Sequence, residues 1–122
     1  MSSIAKTKKK VRLSYCIPQG ILIDIRERMV SEGYDLKGKS KWISEAVNEL
    51  LATDNFSELV NINEQMENFG KLDSISIDQE LKTKLDNAII EIRRNFPSIE
   101  GVQSKILRTA IVQRLLRYKF SH

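Results

Sequence analysis

A chain of 122 residues with 41% apolar side chains and charges of both signs can bury one ordinary core or two very small ones, and it is too apolar for a disordered polymer. The net charge of +4 leans toward polyanionic partners without fixing one. A single cysteine, Cys16, excludes a disulfide scaffold, and no apolar stretch approaches the roughly 18 residues of a membrane span.

Charge is distributed in blocks. Residues 1–52 carry ten Lys/Arg against six Asp/Glu, residues 53–72 one against four, and residues 73–122 nine against six. Two basic blocks therefore flank an acidic connector. The basic start has Lys6, Lys8, Lys9 and Lys10, but Arg12, Asp24 and Arg26 interrupt any signal-peptide core, so the expectation is a soluble, cytoplasmic protein with no membrane partner.

In chain order, residues 1–10 read as a basic arm. From Val11 the period is two: Val11, Leu13, Tyr15 and Ile17 on one face, Arg12, Ser14 and Cys16 on the other, as in a half-buried strand. Pro18 then suits a helix start, and Ile21, Ile25 and Met29 make a helical stripe. Ser40 is expected to cap a second helix that buries Trp42, Ile43, Ala46, Val47 and Leu50. Residues 53–71 read as a tether, within which Phe56, Leu59 and Val60 fit a short helix packed on the core.

The chain then repeats itself. At an offset of 60, Ser14, Ile17, Gln19, Ile21, Ile25 and Met29 fall on Ser74, Ile77, Gln79, Leu81, Leu85 and Ile89. At an offset of 64, "KSKWISEAVNELL" falls on "QSKILRTAIVQRL", pairing Ser40 with Ser104, Lys41 with Lys105 and Trp42 with Ile106. The four-residue difference is expected in the intervening turn, since length changes collect in loops. The second strand begins poorly, with Asp73 on its apolar side and Leu72 on its polar side, and is expected to be short or frayed there. Asp78 and Ser104 are the expected caps of the two helices that follow.

One strand and two helices cannot close a core. Two such units, residues 11–52 and 72–118, predict an α+β, mostly α fold in which a two-stranded antiparallel ribbon is backed by four main helices. This arrangement, carried by "RLSYCIP", "KSKWISEAVNELL" and their echoes, resembles the ribbon-helix-helix DNA-binding family of Arc and MetJ type. As two units in one chain it looks like the fused accessory proteins of conjugative relaxosomes and certain viral regulators. The resemblance implies a pseudodimer that binds double-stranded DNA as a transcriptional repressor or a plasmid-transfer accessory factor, with a second copy or other DNA-bound proteins as further partners.

On matching positions the resemblance assigns base contact to Arg12, Ser14, Cys16, Ser74 and Ser76. The major groove admits a two-stranded ribbon whose alternate side chains reach base edges. Phosphate contact falls to the second-helix starts, Ser40, Lys41 and Trp42 with Ser104, Lys105 and Ile106, through backbone N–H groups at positive helix ends. Lys8, Lys9 and Lys10 of the arm add charge. No cofactor, metal site or enzyme activity is expected, because no nucleophile constellation, Gly-rich phosphate loop or Cys/His spacing is present in the sequence. The alternative from another class is a protein-interaction or dimerisation module whose basic charge is incidental.

Overall fold

A computed structural model describes residues 9–35, 37–62 and 71–120, without the side chains of 118–120. Residues 1–8 of the 1–10 arm, Lys8 among them, lie outside the described residues, as does the 63–70 part of the connector.

The inner face of a ribbon organises the core. Strand β1 (Lys10–Ile17) pairs antiparallel with β2 (Lys71–Asp78), and each is followed by two helices: α1 (Gln19–Ser31) and α2 (Lys39–Leu51), then α4 (Gln79–Asn95) and α5 (Val102–Phe120). A short helix α3 (Phe56–Ile62) lies between the two sets. Among the described residues the fold is thus α+β and mostly helical, with five helices and one two-stranded antiparallel sheet. Leu13, Tyr15 and Ile17 with Ile75 and Ile77 project inward onto Trp42, Ile43, Ile106, Leu107 and Ile111 in a single apolar core. Val60 of α3 is buried in that core, with Phe56 and Leu59 packed against it.

The register ties the strands to the repeat. Ser14 pairs with Ser74, its own counterpart at an offset of 60, so an approximate dyad passes through this pair. Arg12 then faces Ser76, and Cys16 faces Leu72.

Local chemistry sets the helix ends. The carbonyl of Pro18 accepts from the N–H groups of Ile21 and Leu22, and the Asp78 carboxylate accepts from Leu81 N–H at 2.9 Å, so both residues start helices as expected. Helix α1 ends at Gly33, whose φ of +88° lets Gly33 N–H reach Val30 O and Tyr34 N–H reach Met29 O, a Schellman closure that only glycine adopts without strain.

Three expectations are corrected. First, the four-residue difference between the repeats is not in the turn: α4 has 17 residues against 13 in α1. Four residues are about one helical turn, so the insertion preserves the buried face. That face in α4 consists of Leu81, Leu85, Ala88 and Ile92, while Ile89 is only half-buried, because a strict step of four drifts off a 3.6-residue period.

Second, β2 is as long as β1, at eight residues each. Asp73 belongs on the inner face because it is partnered there, accepting from Tyr15 Oη at 2.6 Å and from Lys39 Nζ at 2.8 Å.

Third, neither Ser40 nor Ser104 caps its helix. Gly38 is the residue before α2, and Gly101 O accepts from Lys105 N–H at the start of α5, with the positive φ of Gly101 (+62°) turning the chain into the helix. Both serines sit inside the first turn, which frees their hydroxyls for the ribbon.

Candidate nucleic-acid interface

Alternation leaves one row of side chains on the face of the ribbon that no helix among the described residues covers. Arg12, Ser14 and Cys16 are exposed, Ser74 and Ser76 are half-exposed, and Lys10 extends the row at one end. All five residues expected to contact bases therefore share this outer face. The sequence reading missed a sixth: Leu72, 68% exposed, stands opposite Cys16. Its signal was present as an apolar residue on the polar parity, but it read as a defect of the strand. Across the centre, the Arg12 guanidinium donates to Ser74 Oγ at 2.9 Å, which holds the arginine over the dyad.

Each strand edge is covered by the second helix of the other repeat. Ser76 N–H donates to Ser40 Oγ at 3.0 Å, and Cys16 N–H donates to Ser104 Oγ at 3.1 Å. Cys16 and Ser76 are equivalent in the repeat, as are Ser40 and Ser104, so these bonds are a reciprocal pair. The β1 edge is held further by Gln103 Nε2 donating to Ser14 O at 3.0 Å and Arg108 donating to Cys16 O at 2.8 Å. Sequence pattern gave no sign of Gln103 or Arg108, since neither falls on an apolar stripe.

These bonds bring the helix starts beside the ribbon. Helix geometry leaves the first N–H groups of α2 and α5 without an internal acceptor, and with helices beginning at Lys39 and Val102 these are residues 39–41 and 102–104. Of the expected donors at 41–42 and 105–106, Lys41 N–H remains in this set, whereas Trp42 N–H bonds Gly38 O at 2.9 Å, Lys105 N–H bonds Gly101 O at 3.0 Å, and Ile106 lies beyond the first turn of α5. The Trp42 and Ile106 side chains are wholly buried. Lys41, Lys9 of the arm and Lys10, which belongs to β1 rather than to the arm, are exposed, and Lys105 is half-exposed beside the start of α5.

Behind α2 lies a polar cluster that sequence pattern did not disclose. Arg114 of α5 donates to Trp42 O at 2.8 Å, Glu32 Oε1 at 3.1 Å, Glu45 Oε1 at 3.2 Å and Tyr34 Oη at 3.1 Å, and its guanidinium lies 4.6 Å from the centre of the Trp42 ring. Trp42 Nε1 donates to Glu32, and Tyr34 Oη donates to Glu45. This cluster has no counterpart across the dyad, because the positions equivalent to Arg114, Trp42 and Glu45 are Leu50, Ile106 and Thr109.

Electrostatics under the ribbon centre on Asp73. Burial alone would raise its carboxyl, but the hydrogen bonds from Lys39 and Tyr15 and the Lys39 charge hold it below the ordinary carboxylate range. Burial and the neighbouring Asp73 push the Tyr15 hydroxyl far up, so it remains a donor.

Among the described residues no group of His, Cys, Asp or Glu is placed to hold a metal ion, and no helix is long and apolar enough to cross a membrane. No protein-family model, curated protein or solved structure matches the chain.

Proposed function

We propose that this chain is a sequence-specific duplex DNA-binding protein of ribbon-helix-helix type, in which two units of one polypeptide pair as a pseudodimer and place the ribbon in the major groove. The observation that carries the reading is the coincidence of repeat and register at Ser14 and Ser74. It gives a two-stranded face of groove-compatible width, uncovered by any of the described helices and flanked on both edges by helix starts. Arg12 reads guanine as a bidentate donor, Ser14, Ser74 and Ser76 are permissive readers, and Cys16 lies at the far end. The free N–H groups of residues 39–41 and 102–104, with Lys41 and Lys105, take phosphate oxygens.

The halves differ, so the preferred site is asymmetric. A repressor that occludes a promoter and an accessory factor that marks a plasmid-transfer origin both use this step, in the cytoplasm on the nucleoid or plasmid.

Selection from random duplexes, followed by anisotropy titration at two salt concentrations, tests the reading. The expected outcome is an asymmetric site bound about a thousandfold better than scrambled DNA. Its log–log salt slope should be roughly −4 to −5, as for about four to six phosphates. Affinity that tracks salt with no sequence enriched would remove base reading. Absence of DNA binding would favour the protein-interaction module instead.

A further inference from the structure

The two ends of the outer ribbon face are chemically unlike, and the repeat supplies the comparison. Arg12 and Leu72 are equivalent residues, each two positions from the central Ser14–Ser74 pair. At one end Arg12 faces Ser76, whereas at the other Leu72 faces Cys16. An exposed leucine alone is ordinary. Here, though, it occupies the arginine's equivalent position and sits directly across the ladder from an exposed thiol, itself a small, soft apolar group.

The backbone at this end is held on its free edge by Ser104 and Arg108, both bonded to Cys16, so the pair is presented from a fixed strand rather than a loose loop. Major-groove edges offer one prominent apolar feature, the C5 methyl of thymine.

We infer that Leu72, with Cys16 beside it, reads a thymine methyl in one half-site while Arg12 reads guanine in the other. This rests on the proposed DNA-binding function and names what that face distinguishes. The two ends are four residues apart along the ribbon, or about 13 Å. At about 3.4 Å per base pair this places the guanine and the thymine roughly four base pairs apart.

The test uses the duplex recovered by selection, with each thymine replaced in turn by deoxyuridine, which lacks only the methyl group. One position, roughly four base pairs from the guanine whose replacement is no longer felt by Arg12→Ala, should lose about fourfold in affinity, as for one methyl group returned to water. Leu72→Ser should bind thymine and uracil there equally while keeping the guanine preference, and Leu72→Val should keep part of the discrimination. Circular dichroism should be unchanged in both variants, since the side chain is exposed. Uracil neutral at every position, or an undiminished uracil penalty in Leu72→Ser, would overturn the thymine contact while leaving DNA binding intact. Recovery of no preferred duplex would overturn the DNA reading itself and the thymine contact with it.

Discussion

Asp73 shows how one carboxylate can stand on an otherwise apolar strand face. Its hydrogen bonds from Tyr15 and Lys39 favour the charged form and hold its folded value below the ordinary one. A carboxyl depressed on folding stabilises the native state above the unfolded-state pKa, near 4, and that stability is lost as pH falls through the folded value. Thermal unfolding followed from pH 7 to pH 2 should therefore show the melting temperature of the native chain falling more steeply below about pH 4 than that of Asp73→Asn. Parallel profiles would mean that Asp73 carries no linked proton. On the outer face, Arg12→Ala should erase preference at one base position, whereas Lys41→Ala should weaken every duplex alike, as expected for base and phosphate contacts. Titrations against the selected site and single-base variants separate the two roles, and equal effects of both substitutions on every sequence would reject them.

Among elements, the ribbon edges are the informative feature. Unpaired strand edges invite association, and here each is blunted by a serine from the opposite repeat's second helix. Ser104→Ala should cost about 0.5–1 kcal/mol and speed exchange of the Cys16 amide; Ser40→Ala should do the same for Ser76. Unchanged amide protection would mean that another group takes the donor. The strands, the order of helices and most of the buried stripe were legible before the structure because period-two and period-3.6 patterns are strong, doubled signals. The caps of the two second helices were not, since Ser40 and Ser104 fit a capping rule that operates locally while the structure uses them across the two repeats. Leu72 and Asp73 misled for a related reason: parity flagged both as errors, and only the long-range partners of Asp73 show why the strand continues.

For the whole molecule, the repeat sets the plan and its departures give each half its character. The Arg114 cluster fastens α5 to the first repeat, and the positions equivalent to Arg114, Trp42 and Glu45 carry only the uncharged Leu50, Ile106 and Thr109. Arg114→Ala should destabilise by about 3 kcal/mol, because Glu32 and Glu45 lose the cation they share. Arg114→Leu combined with Glu32→Gln and Glu45→Gln should cost less than Arg114→Ala, since no partly buried carboxylate is stranded and the amide oxygens still accept from Trp42 Nε1 and Tyr34 Oη. Urea unfolding of the two variants gives the comparison, and a triple variant less stable than Arg114→Ala would contradict the account. Such a cluster was out of reach of sequence pattern, as its members lie on three separate segments and carry no shared spacing.

The central claim is that the outer face of the ribbon enters the major groove, and guanine N7 reactivity reports on that groove directly. Dimethyl sulfate footprinting of the selected duplex should show at least one guanine protected by the native chain and released by Arg12→Ala at saturating protein. Full binding with every guanine N7 as reactive as in free DNA, or protection that persists unchanged in Arg12→Ala, would contradict it.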